Sequence, residues 1–304
     1  MIDDFLRELA AALADAGVRG AHARRVLAEA RDHVLEACAE IVEADVVRAF
    51  GAPRELAGLI AAEVATTAAR TAALATFAVL GVAGLVYAAL FLTLPLAGSP
   101  DVFGGSVPGL GIVAFAGIVV APQVAFVSGS LALIRVLRVR CRGALSADEL
   151  RMQRWRTGVA LGAGVVTFVA LALVAVDFHR DVARWWILGA LGSGVVFTPV
   201  FVGLGLTLAR TARPRPLAVG PVDDVFDDLA QALAFAPLKR LQLPSHPWRF
   251  ALLVAAVAAA AVGFGGASAG DPFDSVLRAA AEVVAVLGCY AVLRRPLGLV
   301  RQDA

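Results

Sequence analysis

Glu29 and His33 stand four residues apart in a stretch with helical periodicity, so their side chains share one face and could offer a carboxylate and an imidazole to a metal ion. Two ligands without a third do not make a site, and an ordinary surface ion pair accounts for them equally well. Arg278 and Glu282 repeat the spacing inside a run that is otherwise apolar. An ionisable group in a membrane-spanning helix is costly and marks a functional hypothesis by default. Here a local pair one helical turn apart would neutralise both charges. The alternative is a proton or ion path that also uses Gln123 beside Pro122 and Thr198 beside Pro199. Cys38, Cys141 and Cys289 lie far apart with no CxxC or Cys/His grouping, so no metal or redox centre and no cofactor is expected. Phosphate-cradling GxxxxGK and HExxH signatures are absent as well, so the expectation is that the chain is not an enzyme.

These residues sit in a chain whose composition points to a bilayer. Of 304 residues 60% are hydrophobic and 17% charged, and the mean hydropathy is +0.80. A soluble domain rarely reaches such values. The formal net charge is +2, with Lys239 the only lysine among 27 basic residues. The first 30 residues contain Asp3, Asp4, Glu8, Asp15 and Glu29 and no apolar run of signal-peptide length, so no cleavable export signal is expected.

A hydrocarbon core needs about 20 apolar residues as helix. Uncharged stretches at 71–97, 108–134, 157–176, 185–209 and 250–269 meet this, and 276–293 does so while carrying Arg278 and Glu282. The predicted fold is all-α: a cytoplasmic helical domain over 1–70, then a six-helix transmembrane domain over 71–304. Arginines crowd the segments after the second, fourth and sixth stretches, whereas the alternate turns are short and acidic, which places both termini in the cytoplasm of a plasma-membrane protein. Within the long fourth-to-fifth connection, 221–238 is amphipathic, with Asp223, Asp224, Asp227 and Asp228 opposite an apolar face. A lipid-surface helix would carry basic residues there, so protein packing is the better reading. The basic segments need no nucleic acid to explain them, since no helix-turn-helix or aromatic-interleaved patch accompanies them. Gly158 and Gly162 form a GxxxG pattern, and Gly189, Gly192 and Gly194 crowd the next stretch, so these two helices are expected to touch. The same small-residue patterns leave homo-oligomerisation open.

The N-terminal 70 residues resolve by period into four helices. Ile2, Phe5, Leu6, Leu9 and Leu13 line the first, which Gly17 stops. Val26, Leu27, Val34, Leu35, Cys38 and Ile41 are the apolar positions of the second, from about 21 to 42, with Arg24, Arg25, Glu29, Arg31, Asp32 and Glu36 mainly outside. A short third holds Val46, Val47 and Phe50, ended by Gly51. Pro53 opens a fourth that runs into the first membrane stretch.

The run Arg25-Val26-Leu27-Ala28-Glu29-Ala30-Arg31-Asp32-His33-Val34-Leu35-Glu36-Ala37, followed by Val47-Arg48-Ala49-Phe50-Gly51-Ala52-Pro53-Arg54-Glu55-Leu56-Ala57, resembles the HAAS signalling domain, also described as permease-prefix-like. Ala52-Pro53 departs mildly from the Asp-Pro that commonly follows the phenylalanine and glycine. The membrane half is similar, more loosely, to actinobacterial multi-pass proteins that carry such a domain. The resemblance implies a cytoplasmic module that binds a protein partner, often a transcription regulator of the PadR type, on a membrane anchor or a permease. It makes Glu29, Asp32, His33, Glu36, Phe50, Gly51 and Pro53 the candidate partner-binding residues. Arg278, Glu282 and Gln123 are the candidate intramembrane polar site. Two functions follow: a regulatory membrane protein that docks a cytoplasmic partner, or a permease subunit with a regulatory prefix.

Overall fold

The computed structural model describes residues 2–39, 43–98, 110–138, 145–210, 248–249, 251–253, 255–256, 259–260 and 272–293. The amphipathic segment 221–238 and most of the fifth expected span lie outside these residues, as do the side chains of Arg278 and Glu282. The described chain is helical with no strand: α1 (Ile2–Asp15), α2 (Ala21–Cys38), α3 (Glu43–Phe50), α4 (Pro53–Ala97), α5 (Leu110–Arg138), α6 (Ala147–Asp177), α7 (Arg184–Arg210) and, on Pro272–Leu293, α8. The chain divides into two compact units, one built on Met1–Thr71 with Val139–Arg151 and Leu208–Val222, the other on Ala72–Arg138, Met152–Thr207 and Asp223–Ala304.

In the first unit, α1, α2 and α3 pack pairwise around one apolar core. Phe5, Leu9 and Leu13 recur at helical spacing and are buried, as are Val34 of α2 and Val46 of α3. Each such side chain removed from water stabilises the fold by about 1.5–3 kcal/mol. The first helix ends because Gly17 adopts a φ of 85°, which only glycine takes without penalty. That turn lets the Val18 amide donate back to Leu13 O at 2.8 Å and folds Val18 into the core. Phe50 meets Phe5 edge to face, ring centroids 6.1 Å apart.

A second feature of this unit involves the start of α6. Ser146 and Glu149 cap it reciprocally: the Ser146 amide donates to Glu149 Oε2 at 2.9 Å, and the Glu149 amide to Ser146 Oγ at 3.3 Å. The flanking residues Leu145 and Leu150 occupy the two positions of a hydrophobic staple, and both are buried against Ala65 and Ala69 of α4.

Much of the rest of the described chain is long, apolar helix. Four described helices have the length and composition to cross a membrane, Pro53–Leu94, Gly117–Leu137, Ala147–Asp177 and Arg184–Ala209, and Val283–Leu293 is a shorter apolar segment. Leu85, Leu92, Leu188 and Val195 are each more than 70% exposed. So much open apolar surface on one protein fits immersion in hydrocarbon, not water. Helix α8 contacts α5.

The third and fourth expected spans, α6 and α7, do touch, but not through the expected pair of glycines. A Cβ added at Gly158 or Gly162 would meet nothing within 4 Å. The close approach is made one face away, where a Cβ at Gly164 would lie 2.9 Å from Phe201 Cζ and one at Gly194 would lie 3.4 Å from Phe168 O. Phe168 stacks on Phe197 at 4.8 Å in the same seam. Small residues admit the aromatic rings of the neighbouring helix, so their azimuth decides which glycines matter.

Candidate docking face and membrane core

The core of the N-terminal unit is complete on one side of α2 and leaves the other side open. Ala30 and Val34 point inward, while Arg24, Arg25, Ala28, Glu29, Arg31, Asp32, His33, Leu35 and Glu36 are exposed. Leu35, expected among the apolar core positions, is instead 49% exposed between Asp32 and Glu36. Helical geometry accounts for this: Leu35 is 100° round the helix from Val34, and only one of the two can face the core. Glu29 pairs with Arg25, whose Nε donates to Glu29 Oε1 at 2.9 Å, and not with His33. The nearest acid to His33 is Glu36, with Nδ1 and Oε2 4.0 Å apart. Among the described residues no group of three or more His, Cys, Asp or Glu side chains is placed to hold a metal ion.

The remaining candidates form the joint after α3. Phe50 is half-buried in the core, Gly51 follows with a φ of 79°, and Pro53 is the first residue of α4. The Gly51 amide donates to Arg48 O at 3.2 Å and closes α3. Ala52 O then accepts from the Glu55 and Leu56 amides, at 3.0 and 3.1 Å, and starts α4. Proline suits that position because its missing N–H would have had no helical acceptor. The phenylalanine, glycine and proline thus stop one helix, turn the chain and begin the next.

From this joint α4 carries an alanine every fourth residue, Ala57, Ala61, Ala65, Ala69 and Ala73, all buried. The stripe meets three partners in succession. Ala57 and Ala61 close the N-terminal core, Ala65 and Ala69 receive the Leu145/Leu150 staple, and Ala73 packs with Ala132 and Val136 of α5. At the second of these, the Leu145 amide donates to Thr66 Oγ1 at 2.9 Å while Thr66 Oγ1 itself donates to Ala62 O at 2.7 Å. Thr66 is 2% exposed. No local signal in the sequence announces a bond between residues 79 apart in the chain.

Within the membrane-capable helices, polar groups mostly tie helices to helices or to themselves. Pro122 lacks the N–H that would bond Ile118 O, and the Tyr87 hydroxyl of α4 donates to that carbonyl instead. Gln123, a sequence candidate, donates to Val119 O of its own helix at 3.1 Å. Gln153 of α6 donates to Ala132 O of α5 at 2.9 Å. Trp186 Nε1 of α7 donates to Leu90 O at 2.8 Å, and the Ala183 amide to Ala97 O at 2.8 Å. There the backbones come so close that a Cβ on Gly98 would lie 2.0 Å from Asp181 O. Thr93, Thr157, Thr167, Ser193 and Thr207 each donate to a carbonyl three or four residues back.

Residues 4–58 match the HAAS family, so the three-helix core and the first turns of α4 constitute an HAAS domain at the N-terminus of this chain. The match stops between Ala57 and Ala61 of the alanine stripe. No curated protein and no solved structure matches the chain.

Proposed function

We propose that the HAAS domain at residues 4–58 is the receptor face of a regulatory membrane protein: it docks a cytoplasmic protein partner, for which a PadR-type transcription regulator is a candidate, and the helices from α4 onward anchor it in the plasma membrane. The observation that carries this reading is the outward side of α2. There the folded core leaves Leu35 exposed among Arg31, Asp32 and Glu36, an apolar contact ringed by charges of both signs. Such a side chain is only half covered by its own fold and gives a partner helix a place to bury.

The distribution of arginine along the sequence supports a cytoplasmic location for both termini and the HAAS domain. Anchoring is favoured over transport by the hydroxyls of Thr93, Thr157, Thr167, Ser193 and Thr207, which donate to carbonyls of their own helices. The test compares in-cell crosslinking and affinity capture by the full-length chain with capture by a chain lacking residues 1–70. Loss of a soluble partner together with the domain supports the proposal. Recovery of the same proteins with both chains, or of no soluble protein with either, refutes it. Transport would then be the reading to test, with Glu282→Gln as the first variant.

A further inference from the structure

Where α4, α5, α6 and α7 converge, a cavity of about 60 Å³ opens beside the Pro122 break. Gly84, Tyr87, Pro122, Phe126, Gly164 and Phe201 define it. Its volume exceeds the roughly 10–15 Å³ that admits one water, yet a water needs two to four polar partners. The hydroxyls on the wall give their protons to carbonyls, Tyr87 to Ile118 O and Thr167 to Ala163 O, and the rest of the lining is almost wholly apolar. The cavity therefore suits an apolar occupant.

Its mouth identifies the source. Gly84 is exposed, and a Cβ added there would meet nothing within 4 Å. Phe126 on the opposite rim is 61% exposed, and the neighbouring Leu85 is 75% exposed. Both rims lie on helices long and apolar enough to cross a bilayer, so the opening faces hydrocarbon. In size the cavity falls well below the roughly 150 Å³ that takes a benzene ring. It fits the narrow end of an alkyl chain.

We propose that this crevice binds the terminal part of a membrane lipid's acyl chain, which enters laterally past Gly84 and lies against the Tyr87–Ile118 bond at the proline break. The inference rests on the membrane reading of α4 to α7 and goes beyond the docking function. The full-length protein is reconstituted in phosphatidylethanolamine/phosphatidylglycerol nanodiscs containing a phospholipid with a diazirine at the acyl terminus, irradiated, and its adducts mapped by mass spectrometry. The expected result is labelling of the segments 84–87 and 122–126 several-fold above that of the equally exposed Leu188 and Val195 on α7, and several-fold loss in Gly84→Leu, which has room to plug the mouth. Even labelling across all exposed apolar positions, or full labelling in Gly84→Leu, overturns the proposal. Absence of adducts on α7 as well overturns the membrane reading itself, which separates the two failures. If Gly84→Leu does not assemble, Phe126→Ala decides: a wider mouth raises labelling at 84–87, and unchanged labelling overturns the proposal.

Discussion

Replacing Thr66 with valine keeps the shape of the side chain and deletes its oxygen, which leaves the Leu145 amide facing a methyl group. That amide donates at 2.9 Å to a hydroxyl whose residue is 2% exposed, and Leu145 itself is 7% exposed, so water does not readily replace the lost acceptor. An unsatisfied buried donor costs about 1–3 kcal/mol. At tenfold per 1.4 kcal/mol, this is a roughly 5- to 150-fold shift toward the state in which the segment 145–150 is released. Hydrogen exchange on the purified protein reads the shift directly: the Leu145 amide and the first turn of α6 should exchange faster by that factor. Amides near Leu9, Leu13 and Val34 should keep their protection, because the valine touches none of them. Thr71→Val is the control, since its hydroxyl only bonds back to Thr67 O on an exposed surface. If Thr66→Val leaves the exchange of Leu145 unchanged, or accelerates it no more than Thr71→Val does, then the bond does not hold the segment and the staple acts through packing alone.

Leu35→Asp should abolish capture of the cytoplasmic partner while costing the HAAS domain only about 1 kcal/mol, whereas Val34→Asp, one residue away and fully buried, should unfold it; circular dichroism and pull-down on the two variants separate the faces. Tyr87→Phe leaves Ile118 O without its donor and should destabilise the membrane helices by about 1 kcal/mol, read as a lower melting temperature in detergent. Gly98→Ala forces a carbon against Asp181 O and should cost about 1–3 kcal/mol, while Gly162→Ala, where a Cβ meets open space, should be nearly neutral in the same assay.

How much of this was legible in the sequence depends on the range of each interaction. Uncharged runs of bilayer length mark α4 to α7 because backbone and side chains must satisfy the same solvent along a whole segment. The N-terminal helices are equally plain, since Phe5, Leu9 and Leu13 repeat at helical period and glycines with positive φ end the elements. Composition does not separate buried Val34 from exposed Leu35, because two adjacent apolar residues carry the same signal. The pairing of Glu29 with Arg25, not His33, reflects a longer and better-aligned donor on the same face. Gly158 and Gly162 carry the familiar spacing, but spacing does not fix which way a helix is turned. The missing N–H at Pro122 can be read from one residue, yet its substitute donor, Tyr87, comes from a different helix, and the Thr66–Leu145 bond likewise joins segments distant in the chain. Such pairings are decided by tertiary packing and leave no local trace.

The alanine stripe of α4 has a further consequence for how this chain tolerates insertions. A single added residue between Ala61 and Ala65 would rotate the start of α4, with the core built on Ala57 and Ala61, by about 100° relative to Ala65 and Ala69 and their Leu145/Leu150 staple. Four added residues would leave a phase error of only about 40°, and seven about 20°. Because each buried position carries the same side chain, a shift of one helical turn puts an alanine where an alanine had been. Lengthening of this helix is therefore expected to come in steps of four or seven residues, with the stripe acting as a ruler on which only certain marks are allowed.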